Sequence, residues 1–197
     1  MARVITDGLI RLRIEHPITE CLELERAMIR KFGLTLCCVA LNLSEGVDLI
    51  NAIAPVAASE IERIFSSTEP LVIGLGTGRT LRSSVDEMRA LECSQHKVVS
   101  LIGNVAPDGS AWFFEMIMRI ADKIRAPHVQ NTRSLADGAD FTIVGIGQLG
   151  DDAPLVVDGF VTPEEMTDLS QSGAVGEIVG WAFDAMAAIC KTALIGG

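Results

Sequence analysis

The sequence predicts an α/β fold, a mainly parallel sheet flanked by helices, and three observations carry that prediction. Apolar spacing switches back and forth between a period of two and a helical period along the chain. Short apolar runs, the pattern of strands covered on both faces, alternate with helical patterns. Three of the runs end in glycine, at Gly74, at Gly103 and at Gly145 and Gly147. A parallel sheet gathers such turns at its carboxyl edge, where ligands bind.

Taken in order, Ile10, Leu12 and Ile14 interleave with Arg11 and Arg13, the alternation of a half-exposed strand. After Pro17, the residues Ile18, Cys21, Leu22, Met28, Ile29 and Phe32 share one helical face, and Gly33 supplies a stop. Leu34 to Leu41 is continuously apolar and predicts a buried strand, including Cys37 and Cys38. Ser44 is placed to cap a helix reaching Phe65, which Pro55 should kink or split. Leu71–Ile73 is a short strand entering a glycine-rich turn, and Leu81, Val85, Met88 and Leu91 form the inner face of the helix behind it. Lys97–Ile102 and Phe141–Ile146 read as further strands. Trp112–Ile124 reads as a helix apolar nearly all round, hence deeply buried or at a subunit contact. Thr162-Pro163-Glu164-Glu165 is a capping box with proline at the first helical position.

The 197 residues give room for one domain, 1–197, with at most a small lobe. With 49% hydrophobic and 21% charged residues, the chain can bury a sizeable core. Sixteen Lys and Arg stand against 26 Asp and Glu, a net charge of -10. That is no footprint for nucleic acid, so this segment alone is not expected to bind DNA. The five cysteines form no C-x-x-C pair and the three histidines lie far apart, which supports neither zinc nor a disulfide framework. The cysteines read as small buried hydrophobes. Met1–Ile10 has no apolar core suited to a signal peptide, and no apolar run approaches the ~20 residues of a membrane span. A cytoplasmic protein without cofactor or metal is the expectation.

The turn Gly74-Leu75-Gly76-Thr77-Gly78-Arg79-Thr80 has the makings of an anion cradle. Glycines let backbone N–H groups approach an oxyanion, and the following helix start adds unpaired donors and a positive dipole end. Thr77 and Thr80 can donate hydroxyl bonds, and Arg79 can fork onto a phosphate. It is neither of two commoner loops: the dinucleotide fingerprint would need glycine at 79, and the P-loop would need a lysine. Residue pattern alone leaves a ligand loop and a structural turn both open. Among the carboxylates Asp108, Asp151, Asp152, Asp158 and Glu177, the last is the best candidate, because Gly173-Ala174-Val175-Gly176-Glu177 repeats a glycine-loop-to-helix pattern. No Ser/His/Asp or Cys/His arrangement appears, so no catalytic residue is assigned.

Together these motifs resemble the SorC-type sugar-binding effector domain of DeoR-like bacterial transcriptional regulators. The likeness rests on Glu25 with Phe32-Gly33-Leu34, on Gly74–Leu81, on Leu101-Ile102-Gly103-Asn104 with Asp108-Gly109-Ser110, and on Ala139-Asp140. It continues through Val144–Gln148, Ala153-Pro154-Leu155, Asp158-Gly159-Phe160 and Gly173–Ile178. The resemblance implies a fold like that of ribose-5-phosphate isomerase, glucosamine-6-phosphate deaminase and the CoA transferases. It implies binding of a sugar, polyol or sugar phosphate without turnover, and subunit rearrangement in a homodimer or homotetramer. DNA would be gripped only through a helix-turn-helix absent from this chain. Phosphate holding would fall on Gly76, Thr77, Gly78, Arg79 and Thr80, and sugar contacts on Asn104, Gln148 and Glu177.

Three departures accompany the likeness. Strand-like sequence begins by Leu9 with no helix-turn-helix before it, the segment at Gln130–Asp137 is shorter than the family's, and the chain ends at Ile195-Gly196-Gly197 without the family's closing units and their lysine. Broken patterns near 130–131 and 185–187 lead to the expectation that segments of a longer chain are missing there. Two rivals stand beside the sensor. One is a sugar-phosphate isomerase or deaminase of the same superfold, disfavoured because no lysine sits in a glycine-ended loop. The other is an oligomerisation module, for which Trp112-Phe113-Phe114 would speak. The acidic field repels anions, which keeps a neutral sugar or polyol in contention.

Overall fold

The structure is a computed structural model and describes residues 17–41, 48–101, 112–126, 128–129, 133–157 and 159–193. The strand read over Ile10–Ile14, the cap Ser44 and the strand tip Gly103-Asn104 lie outside these residues, as do Asp108 and Asp158. Helix α1 is Pro17–Phe32 and α2 is Leu49–Phe65. They are followed by β1 (Val72–Leu75), α3 (Arg79–Glu87), β2 (Lys97–Ser100), α4 (Trp112–Ile124), β3 (His128–Val129), α5 (Arg133–Asp137) and β4 (Phe141–Ile143). The chain continues with α6 (Pro154–Val157), α7 (Pro163–Gln171), β5 (Ala174–Ile178), β6 (Trp181–Asp184) and β7 (Ile189–Ala193).

Four strands form a parallel sheet in the order β3-β2-β1-β4, and β5-β6-β7 form a separate antiparallel sheet. The α/β arrangement with a parallel sheet therefore matches the expectation. The order places β1 between β2 and β4, with Leu75 opposite both Ser100 and Ile143. From β1 the chain runs outward through β2 to β3, then returns to the other side of β1 as β4. The sheet thus reverses its direction of growth at the β1/β4 boundary, and such a reversal leaves a crevice at the carboxyl ends.

The main core lies between this sheet and its helices. Ala58, Ile61 and Phe65 of α2, Ile73 and Leu75 of β1, Leu81 and Val85 of α3, Val98 of β2, and Ile120 and Ile124 of α4 form one buried cluster. Each fully buried large apolar side chain contributes about 1.5–3 kcal/mol relative to exposure. A second cluster joins Ala153, Val161, Met166, Leu169 and Ala182, sealing α6 and α7 against the antiparallel sheet. The capping box is realised in full: Thr162 accepts from the Glu165 N–H, while the Glu165 carboxylate accepts from the Thr162 N–H.

Several expectations need correction. Leu34–Leu41 joins no ladder among the described residues, and Leu36 is half exposed. The Leu34 N–H donates to the Ile29 carbonyl at 3.2 Å and the Val39 N–H to Glu25 at 2.8 Å. Cys38 is accordingly exposed rather than core; Cys93 is the buried thiol, and burial followed by Glu92 pushes its pKa up. The cap of α2 is Asp48, whose carboxylate accepts from the Ile50 N–H, and α2 runs unbroken through the exposed Pro55. In α4 the described side chains are amphipathic, with Ile120, Ala121 and Ile124 buried and Met118 exposed. Strand β3 and helix α5 have no counterpart in the sequence reading, being two and five residues long. The glycine-led segment at Gly173 opens a strand and hairpin, not a helix. Beta-branched and aromatic residues (Val175, Ile178, Trp181, Phe183) and a tight turn at Gly180 favour pairing over coiling.

Candidate functional site

The carboxyl rim of the parallel sheet is built from backbone. Leu75 ends β1, and Gly76 donates its N–H to the Ile143 carbonyl at 2.9 Å, holding the turn against β4. Gly78 starts α3 with φ 137°, a conformation side chains resist, and no side chain caps this helix start. Arg79 and Thr80 are therefore the first residues of α3, with Arg79 exposed and Thr80 half buried. The Thr80 carbonyl accepts from the Ser84 hydroxyl at 2.7 Å, and the Arg82 N–H returns to the Gly78 carbonyl at 3.0 Å. The turn thus enters the helix without a break, leaving first-turn N–H groups at the rim.

From the neighbouring strand, Val144–Gln148 runs beside this turn. A methyl on Gly145 would lie 3.6 Å from the Thr77 carbonyl. Gly147 makes a reciprocal backbone pair with Glu177, both bonds 2.9 Å long. That close approach requires glycine: a methyl there would lie 2.7 Å from Cγ and 2.8 Å from Cδ of Glu177. The Glu177 carboxylate is half buried and accepts from the Gly180 N–H at 2.9 Å.

So the structure gathers Gly76, Thr77 and Gly78 of one strand tip, Gly145 and Gly147 of the next, and Glu177 of the antiparallel sheet, with Arg79 and Thr80 opening the helix that follows. Gln148 lies exposed beside Gly147. Asn104 lies outside the described residues. Sequence reasoning placed Val144 in a strand and motif without a contact to Gly76 and missed Val179; their methyl groups each lie 3.4 Å from where a Cβ on Gly76 would stand. No local pattern reveals either contact, because the contacts join segments far apart in the chain. Among the described residues no group of three or more His, Cys, Asp or Glu could hold a metal ion. Among the same residues no helix is long and apolar enough to cross a membrane.

A parallel α/β domain with a glycine-built rim at its reversal point defines a class of small-molecule binding domains. The family model Sugar-bind, described as "Putative sugar-binding domain", matches residues 16–129 and 124–195, and the chain belongs to that family. The chain is 29% identical to the erythritol catabolism regulatory protein EryD of Brucella abortus, over all of this chain and 69% of EryD. A DeoR family transcriptional regulator from Listeria monocytogenes has the same fold, with a TM-score of 0.76 at 18% identity over 89% of this chain and 78% of that one. The full-length sorbitol operon regulator SorC from Klebsiella pneumoniae superposes with a TM-score of 0.70 at 21% identity, over 98% of this chain and 69% of SorC. Two further curated regulators are spanned to 60% and 59% of their length.

Proposed function

We propose that this chain is the effector domain of a sugar-responsive transcriptional regulator, and that it binds a sugar, polyol or sugar phosphate at the carboxyl rim without converting it. One observation carries the reading. Two adjacent strand tips of a sugar-binding domain lie side by side at the reversal point, each carrying glycines, with a helix start behind the first. In this reading Gly76, Thr77, Gly78, Arg79 and Thr80 hold the anionic or most polar end of the ligand. Glu177, Gln148 and Asn104 accept and donate bonds to its hydroxyls. The relatives' names as regulators support the non-catalytic role. The fold would be kin to ribose-5-phosphate isomerase, glucosamine-6-phosphate deaminase and the CoA transferases.

The mechanism is a population shift: a ligand bridging loops from two strands and the antiparallel sheet favours one arrangement of a cytoplasmic homodimer or homotetramer over another. Operator binding would change through a helix-turn-helix outside this chain. Calorimetric titration with sugars, polyols and their phosphates, with product assays on every binder, tests this. Binding without turnover is expected; turnover would place the chain among the isomerases and deaminases. Arg79→Ala should weaken a phosphorylated ligand roughly tenfold or more, since a charged hydrogen bond contributes about 1.5–3 kcal/mol. The unphosphorylated analogue should be nearly unaffected; equal losses would make Arg79 structural.

A further inference from the structure

Val179 sits in a conformation its side chain resists. Ile178 and Trp181 pair across a two-residue connection, Val179-Gly180, and both connecting residues have positive φ, 55° and 78°. Two positive values in a two-residue hairpin loop are the type I′ pattern, whose preferred sequence is Asn-Gly. A β-branched residue in the left-handed region is strained. The turn therefore gains nothing locally from valine. What valine brings is its methyl group: Cγ2 lies 3.4 Å from the position of a Cβ on Gly76, with Val144 Cγ1 at the same distance. Both methyls crowd the side of Gly76 where a Cβ would stand, one from the residue after β4 and one from the β5–β6 turn.

The strained turn is fixed from two sides. The Glu177 carboxylate accepts from the Gly180 N–H at 2.9 Å, and the reciprocal Gly147–Glu177 backbone pair anchors the end of β5 to the tip of β4. We propose that Val179 is a positioning residue: the β5–β6 turn is a strut that seats Val179 beside Gly76 and holds the glycine loop in its ligand-taking conformation. The ligand part of this inference rests on the reading of that loop as the cradle for the ligand's anionic group. Coupling is reciprocal, so a ligand that orders the loop also stabilises the strained turn. The antiparallel sheet would then sense occupancy of the parallel one through the Val179 side chain as well as through the Gly147–Glu177 pair.

The test compares Val179→Asn and Val179→Gly with the original chain by thermal unfolding, by amide hydrogen exchange at Gly76, and by titration with inorganic phosphate and the sugar phosphates. Relief of strain should raise Tm by about 2–4 °C. The Gly76 N–H should nevertheless exchange roughly fivefold faster or more, because its seat is gone while the sheet is intact. Affinity for the phosphorylated ligand should fall by a similar factor. Ala187→Gly is the control: Ala187 also has a positive φ, 59°, but in the turn at the opposite end of β6. It should raise Tm and leave Gly76 untouched. Unchanged or slower exchange at Gly76 in both Val179 variants overturns the strut, as does loosening of Gly76 by Ala187→Gly. A fall in Tm in both Val179 variants overturns the strain. Exchange and Tm need no ligand, so an original chain that binds none of the compounds sinks the functional reading and leaves the strut to be judged on its own.

Discussion

The two rims of the parallel sheet are built on opposite plans. At the amino rim, side chains close the backbone. Fully buried His96 accepts the Leu71 N–H on Nδ1 at 3.2 Å, while its Nε2 lies 3.0 Å from the Phe65 carbonyl, so one ring ties the entries of β1 and β2 to the end of α2. Asp140 accepts the Val72 N–H at 2.8 Å and returns its own N–H to the Val72 carbonyl at 2.8 Å. At the carboxyl rim the corresponding positions are Gly76, Gly78, Gly145 and Gly147, and the contacts are backbone to backbone. The first plan satisfies these donors internally and favours rigidity. The second leaves amide groups within reach of a visitor and depends on neighbours such as Val179 and Glu177 to hold its shape. The difference teaches that closure by side chains and closure by backbone are allotted to opposite ends of the same strands, the second being the end that binds in the proposed reading.

Variants can break this division, and the largest effect should fall at the amino rim. His96→Ala removes a buried ring and orphans the Leu71 N–H and the Phe65 carbonyl, so urea unfolding should show a loss of about 2–5 kcal/mol. Ligand affinity of the folded protein should stay within about twofold, well under the factor of ten that 1.4 kcal/mol would represent. A large affinity loss would mean that the rims are coupled. Gly147→Ala should reverse the emphasis: the Glu177 side chain must move, at a cost of about 1–3 kcal/mol. Ligand binding should fall with it, and titration at a temperature where the variant is folded checks this. Asp140→Ala should cost about 0.5–1.5 kcal/mol and leave binding alone, because it touches one exposed ladder end.

The smallest expected effect is at helix ends and surface pairs. Thr162→Ala removes the α7 cap, worth about 1 kcal/mol. The hydrogen bonds from the Thr162 N–H and hydroxyl hold the Glu165 pKa below its ordinary value, and the Arg89 guanidinium and N–H do the same for Glu62. A depressed carboxylate adds stability above its unfolded pKa, and that stability is lost as pH falls through the folded value. Unfolding midpoints should therefore decline below the normal carboxylate range, and Thr162→Ala should show a shallower decline. An identical slope would mean that the Glu165 bonds do not persist in solution.

Much of the parallel half was legible because its signals are local. The glycine loop, the strands at Val72–Leu75 and Lys97–Ser100, the inner face of α3 and the capping box all follow from neighbours in sequence. The antiparallel half was not. Gly173-Ala174-Val175-Gly176-Glu177 looks like another loop before a helix until Trp181–Asp184 folds back on it. Leu34–Leu41 has the composition of a core strand, but composition does not supply a partner edge. The residues flanking Gly76 are 68 and 103 positions away in Val144 and Val179, beyond any periodicity.

The sequence by itself determined the class of fold and the place of the glycine loop at a helix start. Backbone permissiveness, helix capping and alternating burial are properties of neighbouring residues, so they can be read in one dimension. Only the tertiary structure decided which strand tip lies beside which, that Glu177 closes on Gly147 rather than opening a helix, and that a strained valine leans on Gly76. Those facts follow from strand order and from the meeting of two sheets, and they depend on contacts between segments that no local pattern encodes.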